Sequence, residues 1–84
     1  TIVAQRADGA VLFFVVDGRK PGYSIGATMG DCAEVLLEYD AVTAAACDGG
    51  SSSVLAYNGQ IINDPSTPMT TGRYLPNAFL VLKR

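Results

Sequence analysis

Thr1-Ile2-Val3-Ala4-Gln5-Arg6-Ala7-Asp8-Gly9-Ala10-Val11-Leu12-Phe13-Phe14-Val15-Val16 opens the chain with two apolar runs and a turn between them. Thr1–Gln5 reads as a short strand. Arg6-Ala7-Asp8-Gly9 reads as a hairpin turn, because Asp-Gly supplies the positive φ that tight connections need. Ala10–Val16 reads as a second strand. It is apolar on both faces, which predicts a central position covered from two sides.

Beyond this hairpin the signals change. Asp17-Gly18-Arg19-Lys20-Pro21-Gly22-Tyr23 is a loop, marked by two glycines and a proline. Thr28 with Asp31 three residues later forms a capping-box pattern, with Asp in place of the usual Glu. Met29, Cys32, Ala33, Leu36 and Leu37 then recur at helical spacing, and Asp31, Glu34, Glu38 and Asp40 form the wetter side. This predicts a helix from about Met29 to Tyr39 lying on one sheet face. Ala41–Cys47 is a strand of small residues, with Ala44–Cys47 expected beside Val11–Val16 in the sheet interior. Val54–Tyr57 and Gln60–Asn63 flank Asn58-Gly59, the strongest hairpin signal in the chain. Asp64–Pro76 reads as a loop and Asn77–Leu82 as a closing strand. The order β-β-α-β-β-β-β gives an α+β class, with a mixed or antiparallel sheet and one helix packed on a face.

Composition narrows the function classes. The chain has 84 residues, six Lys and Arg against eight Asp and Glu, and a net charge of −2. It has no basic cluster to track a phosphate backbone, so no nucleic-acid partner is expected. No apolar run approaches the ~18 residues of a membrane-spanning helix. Two cysteines, Cys32 and Cys47, make no disulfide framework and read as small buried apolar residues. Without histidine there is no Cys/His zinc site. Hydrophobic residues make up 49% and charged ones 17%, too greasy a balance for so small a core to hide alone. The expectation is a portion of a larger domain whose apolar edge is covered by the rest of that domain or by self-association.

Asp48-Gly49-Gly50-Ser51-Ser52-Ser53, at the end of an apolar strand, is where chemistry is most concentrated. Glycines let a ligand approach the backbone and let successive N–H groups form an anion-binding concavity. Serines add hydroxyl donors. Asp48 is suited to act as acid or base, to accept a sugar hydroxyl, or to bind a divalent ion such as Ca²⁺. The plainer alternative is a Gly/Ser turn that Asp48 caps. No lysine follows the glycines, so this is not a P-loop. Arg19 and Arg73 carry fork-shaped cations suited to phosphate or carboxylate, against the alternative of exposed loop charges.

Several blocks together carry a resemblance. Val15-Val16-Asp17-Gly18-Arg19, the helical Ala33-Glu34-Val35-Leu36-Leu37, Asp48-Gly49-Gly50-Ser51-Ser52-Ser53, Tyr57-Asn58-Gly59, Asn63-Asp64-Pro65-Ser66 and Arg73-Tyr74-Leu75-Pro76-Asn77-Ala78 occur in an order that resembles the phosphodiester glycosidase family. The resemblance implies that residues 1–84 are the C-terminal portion of a catalytic domain that hydrolyses a sugar 1-phosphodiester. It implies Asp48 as catalytic, with Gly49, Gly50, Ser51, Ser52, Arg19, Arg73 and Asn77 as substrate-binding residues. It also implies a carbohydrate or sugar-phosphate substrate and an extracellular or cell-envelope setting, including exopolysaccharide metabolism. The chain departs from the family pattern at Ser51, where a third glycine is usual, and at Ala46-Cys47, where Asn-Leu is usual. A glycosidase normally needs two carboxylates. The second is expected in the remainder of the domain, and without it the chain alone is expected to be inactive. The other reading is a non-catalytic module that binds glycans or anionic polymers at the same place.

Overall fold

The computed structural model describes residues 1–67 and 73–84. Its order is β1 (Ile2–Arg6), β2 (Val11–Phe14), α1 (Met29–Glu38), β3 (Ala41–Ala46), a short 3-10 turn (Gly50–Ser52), β4 (Ala56–Tyr57) and β5 (Gln60–Ile61). This is the α+β arrangement that the patterning predicts. β1, β2 and β3 form one antiparallel sheet in the order β2-β1-β3, and β4 and β5 form a separate hairpin.

The turns follow from local chemistry. Gly9 takes φ +91 and donates its N–H to the Arg6 carbonyl at 3.0 Å, closing the first hairpin. Asn58 and Gly59 both have positive φ, +52 and +77, as the two-residue turn with the right twist requires. Thr28 caps α1: its side chain accepts the Asp31 N–H at 3.1 Å, and Asp31 reaches back to the Thr28 N–H at 3.0 Å. Asp40, at φ +62, ends the helix in the left-handed conformation usually left to glycine.

Period two in the strands and 3.6 in the helix place the core. Ile2 and Ala4 of β1 face α1 and are buried with Cys32 and Leu36. Leu12, Phe14, Val16 and Ala41 pack around them. Met29 and Leu37, also on the apolar stripe, are exposed, because α1 meets the narrow sheet through one turn-spaced pair.

Several expectations are corrected. β2 is an edge strand that ends at Phe14, and Ala44–Ala46 pairs with β1 rather than with β2. The central strand is therefore β1, which has neighbours on both sides. β3 is exposed along Val42–Ala46; as an edge strand with α1 over only part of it, it is not the tightly packed inner strand expected. Cys47, which continues it, is exposed as well, whereas Cys32 is buried. The two-sided apolar run of β2 has a different origin. Leu12 and Phe14 face the helix, while Phe13 and Val15 line a large apolar cavity on the other face, bounded by Leu55, Ile62 and Phe79. Asn77–Leu82 forms no strand. Its residues 78–81 line that cavity, and an extended segment becomes a strand only where a free sheet edge meets its backbone. The second hairpin is shorter than its apolar flanks, extended by one bond from the Ile62 N–H to the Leu55 carbonyl at 2.9 Å. Residues 68–72 of the expected loop lie outside the described residues.

Candidate functional site

The Gly/Ser turn sits at the end of β3, where the sheet stops. The Cys47 N–H donates to the Thr1 carbonyl at 2.9 Å, the last tie between this strand's extension and the β1 end of the chain. Asp48 and Gly49 then leave the sheet, and Gly50–Ser52 makes a single 3-10 turn closed by Ser52 N–H to Gly49 carbonyl at 3.1 Å. Gly50 has φ +59, so a left-handed residue stands at the head of the turn. Ser53 is buried and accepts hydrogen bonds from the Thr1 hydroxyl at 2.8 Å and the Thr1 amine at 3.3 Å.

Arg19 approaches from the loop after β2. A Cβ built on Gly50 would lie 3.3 Å from one Arg19 Nη and 3.4 Å from Cζ and the other Nη. The guanidinium thus lies against the bare α-carbon, and the space it uses is space a side chain would fill. Arg19 itself has φ +56, a conformation that costs a non-glycine residue about 1–2 kcal/mol. No described carboxylate lies within ion-pair distance of it; the neighbouring Lys20 is the residue that pairs, with Asp64 at 2.8 Å. Between Arg19, Gly49, Gly50, Ser53, Ser66 and the start of α1 lies a cavity of ≈ 260 Å³. Arg19 is the one charged side chain in its lining, and no carboxylate side chain lines it.

The sequence-predicted residues divide by position. Arg19, Gly49 and Gly50 form the cavity wall. Ser51 and Ser52 are half-buried behind it. Arg73 comes from the C-terminal segment, and its Nη1 donates to Ser52 Oγ at 3.4 Å. The two arginines therefore reach the same six-residue stretch from different parts of the chain. Asp48 is exposed, adjoining Gly49 but outside the cavity lining. Asn77 is exposed and also outside it. A dedicated Ca²⁺ site needs six to eight oxygens, and no group of three or more Cys, Asp or Glu among the described residues is arranged for a metal ion. No step is assigned to a metal ion.

Sequence reasoning missed Asp17, Asn63, Ser53 and Ser66. Asp17 accepts from the Tyr23 hydroxyl at 2.8 Å, from Asn63 Nδ2 at 3.1 Å and from the Asp64 N–H at 3.1 Å to each oxygen. Partial burial pushes its carboxyl pKa up. The bonds from Tyr23, Asp64 and Asn63, with the Lys20 charge, outweigh that and hold it below the ordinary value. Tyr23, facing the same carboxylate, is raised by that hydrogen bond and charge. Ser66 Oγ donates to the Gly18 carbonyl at 3.1 Å. The available signal was the shared occurrence of Asp17-Gly18-Arg19 and Asn63-Asp64-Pro65-Ser66 as two blocks of one pattern, which the structure brings face to face.

The model of the phosphodiester glycosidase family matches residues 1–82. This chain belongs to the phosphodiester glycosidase family. A relative in Bacillus subtilis (strain 168), the SPbeta prophage-derived uncharacterized protein YomE, is 38% identical over 64 residues. That match covers 76% of this chain and 10% of the relative, so the chain spans a small part of that protein's length. No solved structure is significantly similar. Family membership covers the Asp48–Ser53 turn, the Arg19 loop and the Arg73 segment together.

Proposed function

We propose that the full-length protein carrying this domain hydrolyses a sugar 1-phosphodiester, in cell-envelope or exopolysaccharide metabolism outside the cytoplasm. The observation that carries the reading is the Arg19 guanidinium, without an ion-pair partner among the described residues, lying against Gly50 at the mouth of a cavity without carboxylate side chains in its lining. In this account the phosphodiester occupies that cavity. Arg19 and the N–H groups of the Gly49-Gly50 turn hold its non-bridging oxygens, and Arg73 supports the turn through Ser52.

The chemistry follows from the leaving group. Water attacks the anomeric carbon while the C1–O bond breaks, and its electron pair stays on the phosphate-bearing oxygen. A proton from water passes to a carboxylate and from there to the product, leaving free sugar and a phosphomonoester. A phosphate leaving group is already stable as an anion, so electrostatic clamping carries more of the rate than acid assistance does. Asp48, exposed at the rim, serves as one carboxylate or orients the sugar. Its partner comes from the remainder of the domain.

The absence of a carboxylate from the cavity lining also favours a second reading, a module that binds an anionic glycan without cleaving it. The test is phosphate and sugar release from a synthetic glucose 1-phosphodiester by the full-length protein and by Asp48→Asn. Hydrolysis lost in the variant supports catalysis. Undiminished binding with no hydrolysis by either supports the binding module, and neither binding nor hydrolysis removes both.

A further inference from the structure

The loop that bears Arg19 and the turn that bears Gly50 are not neighbours in sequence, and β1 separates their strands in the sheet. Something must set the distance between them. Asp17 lies two residues before Arg19, and its carboxylate gathers three separate segments: its own strand end, Tyr23 on the far side of the loop, and Asn63-Asp64. The same loop is closed by Ser24 Oγ donating to the Asp17 carbonyl and by Lys20 N–H to the Ser24 carbonyl at 2.8 Å. Gly18 meets Gly26 so closely that a Cβ on Gly18 would lie 3.2 Å from the Gly26 α-carbon. Asn63 continues the chain of contacts. Its Nδ2 also donates to the Ser53 carbonyl at 2.9 Å, and its Oδ1 accepts the Leu55 N–H at 2.8 Å. Ser53 directly follows the Gly50–Ser52 turn.

We propose that Asp17 and Asn63 are positioning residues, a two-residue bridge that fixes the Arg19 guanidinium on the Gly49-Gly50 turn. An aspartate that merely capped a loop would need one or two local N–H partners. Asp17 accepts from three donors, Tyr23, Asn63 and the Asp64 N–H shared between its two oxygens, and two of the three lie more than 40 residues away. The polarity of the bridge is also fixed. Asn63 must donate toward both Asp17 and Ser53 while accepting from Leu55, so its amide has one orientation, and only an acceptor suits position 17. What Arg19 then binds rests on the function proposed above; its placement does not.

The experiment uses the full-length protein with ¹⁵N-labelled arginine, reading the order of the Arg19 Nε–Hε bond and titrating inorganic phosphate. Asp17→Ala is expected to free Arg19 and to weaken phosphate binding by about tenfold, the loss of one well-aligned charge-assisted contact. In an Arg19→Ala background Asp17→Ala is expected to change phosphate affinity less than about twofold, because both substitutions remove the same contact. Asn63→Asp sets two carboxylates face to face and is expected to free Arg19 as Asp17→Ala does. If Asp17→Ala does not fold, Asn63→Asp decides. An ordered Arg19 in either single variant, or additive losses in the double variant, would overturn the proposal. A wild-type protein that ignores phosphate while Asp17→Ala frees Arg19 would overturn the anion reading and leave the bridge standing.

Discussion

Replacing Gly50 with alanine perturbs two things that can be separated. The first is the backbone: at φ +59 an L-residue with a β-carbon costs about 1 kcal/mol or somewhat more. The second is the space against Arg19. The new methyl would stand 3.3 Å from one guanidinium nitrogen and 3.4 Å from two further atoms, closer than ordinary packing, so the guanidinium must retreat by a few tenths of an ångström. A bond from a charged group contributes about 1.5–3 kcal/mol. Losing half of one corresponds to about three- to tenfold weaker phosphate binding. Gly59→Ala is the matched control, since Gly59 has φ +77 and nothing within 4 Å of a built Cβ. Thermal melts should show a similar loss of stability in both variants. Phosphate titration should show the affinity loss in Gly50→Ala alone. Equal affinity in the two variants would refute the assignment of Arg19 to an anion held at this turn.

Three other outcomes are expected. Thr28→Ala removes the side-chain half of the α1 cap and should lower stability by about 1 kcal/mol, measured by urea unfolding. The Asp17 carboxyl is depressed in the folded protein, so the unfolded chain takes up its proton first. The stability it contributes is therefore present above the ordinary value of 3.8 and lost as pH falls through the lower folded value. Asp17→Asn should flatten the acid limb of a stability-against-pH curve, leaving the part due to Asp31, which its Thr28 bonds depress in the same direction. Arg73→Ala, removing an exposed contact to Ser52, should weaken phosphate binding by about twofold, less than Arg19→Ala in the same titration.

Local signals were legible wherever one interaction decides them. Asp8-Gly9 and Asn58-Gly59 set their turns by φ, and Thr28 with Asp31 set the start of α1, because these depend on residues within four positions. Strand neighbours were not legible. Val11–Val16 reads as an inner strand because it is apolar throughout, yet only one of its faces meets α1 while the other opens onto an apolar cavity, and β1 takes the centre by pairing on both sides. Alternation describes what a face meets and says nothing of what lies at the edge. The same holds for Asn77–Leu82, whose apolar residues meet a cavity without a ladder. At the candidate site, Gly49, Gly50 and Arg19 were singled out by residue type, and the structure brings these three to one cavity wall. The carboxylate that gathers the loops was not, since Asp17 in a Gly-rich stretch reads as ordinary turn chemistry until Asn63 and Asp64 are folded against it.

Whether the Arg19–Gly50 cavity holds the phosphate of a sugar 1-phosphodiester is decided by phosphorus NMR of the full-length protein with a glucose 1-phosphodiester, read in the wild type and in Arg19→Ala. Conversion of the phosphodiester resonance to a phosphomonoester resonance is expected in the wild type, with at least about tenfold slower conversion in Arg19→Ala. Conversion at the same rate in both proteins would contradict that placement of the phosphate.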